Sequence, residues 1–206
     1  MPNFAMKPSV EETLASGSEA RLVASLEGEF AGFGGLWQAF ARCMTDSGPQ
    51  PPELCLHQPP GAGARNNERV LLDDTALSAP LFERARDYLP PALHGSSVYG
   101  WSLCGFNERW RFYRYMPRQQ FDWHVDGIVR LAPDKQSALT FMIYLNDDFE
   151  GGSTDFDADA GPLSVRPTTG AALVFPHKVR HRGAPVVSGM KYVLRSDVMY
   201  QAPAKQ

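Results

Sequence analysis

From Leu93 onward the chain is a succession of short apolar-rich runs with no helical period, and this constrains the fold more than any other feature. The runs are SVYGWSLCG, RWRFYRYM, QFDWHV, SALTFMIYLN, STDFD, GPLSVRP, GAALVFP, GAPVV and MKYVLRSDVMY, rich in Val, Phe, Tyr and Trp and parted by clusters of Gly, Pro, Asn and Asp. Branched and aromatic side chains suit a pleated surface, and turn residues at this spacing let the chain double back repeatedly. Roughly eight to nine consecutive strands predict an antiparallel sandwich or barrel. FEGGST reads as a turn between two of them.

Upstream the pattern is helical and looped. Leu14, Leu22, Leu26, Phe30, Leu36, Trp37 and Phe40 recur at loosely helical spacing between Val10 and Met44, interrupted at GEFAGFGG. SGPQPP and QPPGAGARNN are loops, with Gly61 and Gly63 flanking a turn, and ERVLLDD is a short strand. A helix is expected over Pro80 to Leu89, with Ser78 as N-cap, Pro80 in the first turn and Pro90-Pro91 as the stop. The division expected is a helical and loop segment over 1–93 buttressing a β core over 94–206.

Composition narrows the function. At 206 residues and 43% hydrophobic, the chain suits one globular domain with a substantial core. A net charge of −3 argues against general nucleic-acid binding. Cys43, Cys55 and Cys104 form neither a disulfide framework nor a zinc pattern, and read as reduced thiols in a cytoplasmic protein. The first residues lack the basic and apolar regions of a secretory leader, and no apolar stretch is long enough for a membrane span. No nucleic-acid partner and no membrane partner is therefore expected; oligomeric state is not legible.

One run carries metal-site chemistry. In FDWHVDG, strand alternation points His124 and Asp126 to one face, with Trp123 and Val125 on the other and Gly127 ending the strand. A second histidine would complete a set of two imidazoles and one carboxylate that leaves positions open on iron. LVFPHKVRHRGAPV offers two, His177 and His181; the plainer reading of His177 is a surface-loop residue.

WHVDG, YLNDDFEGGSTDF and GAALVFPHKVRHRGAPVVSGMKYVLRSDVMY, taken together, resemble the iron(II)- and 2-oxoglutarate-dependent dioxygenases of the prolyl 4-hydroxylase type. In that family an HxD pair precedes a distal His in an H-x-G-x-P-V segment, and a basic residue follows about ten positions on. His181 begins HRGAPV and Lys191 stands ten residues later, whereas His177 has neither feature. The resemblance covers about Trp110 to Tyr200.

The resemblance implies a mainly β fold with N-terminal helices, a double-stranded β-helix or jelly roll. It implies Fe(II) on His124, Asp126 and His181, with 2-oxoglutarate as co-substrate, O2 as oxidant and ascorbate as candidate reductant. The outcome would be hydroxylation of a prolyl residue in a protein or peptide, or of a small amino-acid-like substrate, with release of succinate and CO2. Asp126 stands where halogenating relatives have a small residue, which implies hydroxylation. Lys191 matches the position that anchors the far carboxylate of 2-oxoglutarate. Arg195, on the same face, is the alternative anchor or a substrate-side group. Tyr144 and Tyr115 match tyrosines that bind the same carboxylate or line the mouth. Asn146 reads as a turn residue. Arg109 and Arg111 either line the entrance or pair with Glu108 or Asp122, and Arg65 and Asn66 are candidate substrate contacts. Metal binding by two unperturbed imidazoles is expected to weaken below about pH 6.5. The alternative function is a cupin-like metal enzyme, an isomerase or hydrolase, that makes no use of 2-oxoglutarate.

Overall fold

The computed structural model describes residues 21–25 (backbone only), 65–93, 97–158 and 161–204. Antiparallel strands dominate them. In chain order they are β1 (Arg21–Ser25), β2 (Glu68–Asp73), β3 (Ser102–Phe106), β4 (Arg109–Tyr115), β5 (Phe121–His124), β6 (Arg130–Ala132) and β7 (Lys135–Tyr144). There follow β8 (Glu150–Gly151), β9 (Thr154–Ala158), β10 (Gly161–Val165), β11 (Ala171–Pro176), β12 (His181–Gly183), β13 (Val186–Ser188) and β14 (Lys191–Gln201). Helix α1 (Thr75–Ala85) lies between β2 and β3 and runs into a 3-10 turn over Arg86–Tyr88.

The strands form a large sheet in the order β1-β11-β7-β14-β4-β2, a smaller sheet in the order β10-β9-β12-β5, and the pair β13-β8. The long strand β14 is shared along its length: Lys191–Arg195 pair with β4 and Val198–Gln201 with β3. Its other edge runs along β7. This is the jelly-roll arrangement expected, reached with more and shorter strands than the pattern suggests, because β6, β8 and β12 are too brief to register as periodic runs.

Alternation gives the large sheet two buried faces. Trp110 and Phe112 of β4, Phe141 and Ile143 of β7, and Leu194 and Val198 of β14 point outward onto Leu77, Leu81 and Ala85 of α1. Their neighbours Tyr113, Tyr115, Met142, Tyr144 and Val193 point inward, against Phe156 of the small sheet and Val186 of β13. Each large apolar side chain so buried contributes roughly 1.5–3 kcal/mol.

Helix α1 begins earlier than its sequence pattern suggests. Asp74 is the N-cap: it is extended, and its carboxylate accepts the Leu77 N–H at 2.9 Å. Ser78 lies inside the helix instead. Its hydroxyl donates to the Asp74 carbonyl at 2.8 Å and accepts the Trp110 indole N–H at 2.8 Å, joining helix to core. Pro80 therefore sits past the first turn.

The helix expected over Val10 to Met44 gives way at Arg21–Ser25, which add to the edge of β11 as a strand; the remainder of that expectation, with Gly61 and Gly63, lies outside the described residues. ERVLLDD is β2, paired with β4. Arg109 and Arg111 do pair with acids, but with Asp73 at 2.8 Å and Asp197 at 3.0 Å, since register sets the partner and not nearness in sequence.

Candidate active site

His124 ends β5 and His181 opens β12, and the two residues are direct partners across the antiparallel pair. Their imidazoles therefore rise side by side from one face of the small sheet, with ring centroids 4.2 Å apart. Asp126 arrives differently from expected. β5 stops at His124, short of Gly127, and the Asp126 N–H donates to the His177 carbonyl at 2.8 Å, outside the sheet ladder. Its carboxylate still turns to the same point. The Nε2 atoms of His124 and His181 lie 3.6 Å from Oδ1 and Oδ2 of Asp126, respectively. Among the described residues these three form a cluster whose donor atoms all fall within 4.8 Å of one another.

The donor set fits a divalent metal. The Nδ1 of His124 faces the Asp122 carbonyl at 2.7 Å and the Nδ1 of His181 faces the Val179 carbonyl at 2.9 Å. A carbonyl only accepts, so each Nδ1 carries the proton and each Nε2 turns a lone pair to the cluster. Burial pushes the His181 pKa down to about 4 and lowers that of His124, so both rings are neutral, as ligation requires. Burial alone would raise the Asp126 carboxyl; Arg195, His181, Thr140 and His124 more than offset it and hold it below its ordinary value. Phe121 stacks on His124 with centroids 3.5 Å apart and planes 13° from parallel, which fixes that ring.

The cluster opens on a pocket whose lining includes Tyr113, Tyr115, Met142, Thr154, Phe175, Lys191, Val193 and Arg195. Lys191 is buried at 2% exposure, and no described carboxylate lies within ion-pair distance of it. Its ammonium donates to the Gly152 carbonyl at 2.6 Å and sits 5.3 and 5.4 Å from the ring centroids of Tyr115 and Tyr144. Burial pulls its pKa down to about 7, against the pull of Asp155. Tyr144 donates its hydroxyl to Thr154 at 2.7 Å, while the Tyr115 hydroxyl has no hydrogen-bond partner among the described residues. Arg195 shares the inward face of β14 with Lys191, but its guanidinium lies 2.8 Å from Asp126.

His177 is not a surface-loop residue. It is 4% exposed, bonded to Thr140 at 3.0 Å and Ser137 at 2.8 Å, and burial lowers its pKa. Asn146 lies in the irregular segment after β7, its amide holding the Met190 carbonyl and the Tyr192 N–H. Asn66 is spent on the Gln120 N–H at 2.7 Å. Arg65 lies over the ring of Phe121, 5.1 Å from its centroid, beside the mouth. Two residues were missed in the sequence. Thr140 touches Asp126, and the only signal is a hydroxyl on the inward face of an apolar strand; Phe121 had no signal beyond its nearness to His124.

Comparison with known proteins converges on this region. Residues 110–196 match the family model of the 2OG-Fe(II) oxygenase superfamily. A PKHD-type hydroxylase of Xylella fastidiosa is 34% identical over 91 residues, covering 39% of this chain and 40% of its own length. One from Shewanella baltica is 27% identical over 82 residues. The chain thus matches about two fifths of the length of these relatives. Among solved structures, a Pseudomonas putida prolyl-4-hydroxylase superposes with a TM-score of 0.58 at 17% identity, covering 92% of this chain and 95% of its own. A Trichoplax adhaerens prolyl hydroxylase, solved with a hypoxia inducible factor peptide fragment, gives 0.60 at 12% identity, covering 89% and 84%. At these identities the structural likeness is one of fold.

Proposed function

We propose, from the match of residues 110–196 to the 2OG-Fe(II) oxygenase superfamily model and from the geometry of the site, that the protein is an iron(II)- and 2-oxoglutarate-dependent hydroxylase of the prolyl 4-hydroxylase type. His124, Asp126 and His181 are the metal ligands. The substrate is a prolyl residue of a protein or peptide, or a small amino-acid-like molecule. The observation that carries this reading is the pairing, in one pocket, of a two-imidazole, one-carboxylate cluster with a buried lysine that has no carboxylate partner. A cupin-like isomerase or hydrolase has no use for that lysine.

Bound at the cluster, iron(II) supplies the redox chemistry by which 2-oxoglutarate and O2 give succinate and CO2 while the substrate gains a hydroxyl. The chain supplies the rest. Lys191 receives the far carboxylate through a charge-assisted hydrogen bond, with the Tyr115 hydroxyl beside it. Tyr144 braces this end of the pocket through Thr154. Phe175, Met142 and Val193 keep the walls apolar, which strengthens the lysine–carboxylate attraction and limits water. Arg65 at the mouth supports a substrate with a polar or anionic group near the reacting carbon. A cytoplasmic setting, expected from the cysteine spacing, is part of the same proposal.

Anaerobic titration of the metal-free protein with iron(II), then 2-oxoglutarate, tests the reading through the visible absorption of the keto-acid chelate. The band is expected in the wild type and absent in His181→Ala. Lys191→Ala should bind iron normally and need about 10- to 100-fold more 2-oxoglutarate. Iron uptake without any band would move the cupin-like alternative to the front. Succinate release with peptides against free amino acids then sorts the substrate.

A further inference from the structure

The pocket holds a buried lysine and a largely buried arginine on one strand face, four residues apart, and their surroundings give them different work. Lys191 has no described carboxylate within ion-pair distance. Arg195 is already engaged: its Nη2 lies 2.8 Å from Oδ2 of Asp126 and 3.4 Å from the Thr140 hydroxyl oxygen, and its Nη1 lies 3.4 Å from the Tyr113 hydroxyl. A second ion-pair contact runs to Asp197 at 3.6 Å.

The same carboxylate oxygen takes a second donor. Thr140 donates to Oδ2 of Asp126 at 2.5 Å. A hydroxyl has one proton, so Thr140 must accept from His177, whose Nδ1 is 3.0 Å away and therefore protonated. The His177 Nε2 then bears a lone pair and accepts the Ser137 hydroxyl at 2.8 Å. Ser137 in turn accepts the Val129 N–H at 2.9 Å. Every proton in this chain is used once and every link has one direction. It leads from the loop after Asp126 through the core and back to Asp126.

Both sets of donors fall on Oδ2. Each oxygen has a lone-pair nitrogen 3.6 Å away, Oδ1 that of His124 and Oδ2 that of His181; what distinguishes them is that, among the described residues, Oδ1 receives no donor. We propose that Arg195 is a positioning residue for Asp126: with the Ser137–His177–Thr140 chain it occupies Oδ2, so that the carboxylate presents Oδ1 alone to the metal. Arg195 is thereby removed from the role of co-substrate anchor. The inference rests on the metal-site reading above.

The test is binding of Co(II) alone to the metal-free full-length protein, followed by affinity and by the visible d–d spectrum, which reports coordination number. Arg195→Met should lower Co(II) affinity about 10- to 100-fold, the usual cost of losing an outer partner of a ligand. It should also change the spectrum, because a released carboxylate is free to bind through both oxygens or to leave. Arg195→Lys should recover part of the affinity, and Thr140→Val should lower it severalfold. Lys191→Ala should leave both readouts unchanged. Arg195→Met with wild-type affinity and spectrum would overturn the proposal. If that variant also lost 2-oxoglutarate binding, Arg195 would be the anchor after all. Should Arg195→Met fail to fold, by circular dichroism, Arg195→Lys and Thr140→Val decide: wild-type Co(II) binding in both overturns it. A wild type that took up no Co(II) would sink the proposed function and this inference with it.

Discussion

His181 shows at the scale of one residue how the fold tunes a sequence motif. As a bare imidazole it would titrate near 6.5; burial brings it to about 4. Between these values the unfolded chain binds a proton that the folded protein does not. The contribution of His181 to the stability of the metal-free fold is therefore whole above pH 6.5, is lost as pH falls through this window, and levels off below about 4, where the loss that remains comes from carboxyls such as Asp126. Melting temperatures taken in steps across that range should show the fall, and replacing His181 with Leu should remove part of it. The same shift moves the acid limit of His181 ligation down from the 6.5 expected of an unperturbed ring, so Co(II) should still be held near pH 5. The clustering of His124, Asp126 and His181 was legible because HxD and the HRGAPV segment are local patterns. Thr140 and the true surroundings of His177 were not, because their partners come from strands whose register is set by the whole sheet. A histidine beside Lys178 and Arg180 looks solvated in sequence; the turn after β11 folds it inward while Lys178 and Arg180 face water.

At the scale of elements, the turn linking β8 to β9 matters most for the pocket. Gly152 has φ +65 there, and a β-carbon on it would lie 2.9 Å from Phe149 and 3.2 Å from Cδ of Lys191. Its carbonyl is also what the Lys191 ammonium binds. Gly152→Ala should therefore cost roughly 1–2 kcal/mol in backbone strain and weaken 2-oxoglutarate binding, while Co(II) affinity stays unchanged. Calorimetry with each ligand separates these effects; equal weakening of both would show that the turn supports the whole site. Long strands such as β4, β7 and β14 could be read in outline from sequence, since their runs of branched and aromatic residues are long and hold no helical period. The expected cap of helix α1, Ser78, lies four residues late because Ser-Ala-Pro mimics a helix start, while the cap is Asp74, whose carboxylate meets the Leu77 N–H. The strand at Arg21–Ser25 was hidden because its pairing with β11 is long-range and its apolar spacing fits a helix equally well.

For the whole molecule, the arrangement of sheets separates support from chemistry. The outer face of the large sheet rests on α1, and the inner face closes the pocket with the small sheet. No described helix is long and apolar enough to cross a membrane. We propose that the segment over 1–93 buttresses the core over 94–206 and also enters it, since β2 pairs with β4 in the large sheet. The direct opposition of His124 and His181 has a further effect on the fold. These residues belong to strands far apart in sequence, so a metal held by both ties a long loop shut, as a disulfide would, and lowers the entropy available on unfolding. Because the ion binds the folded chain in preference, added Co(II) should raise the melting temperature in a concentration-dependent way, and chelation should reverse it. A melting temperature indifferent to Co(II) would mean that the two strands are held in register by the sheet alone. A rise would make the ion of the proposed reaction a rivet as well, and a cell short of metal would then hold a looser protein.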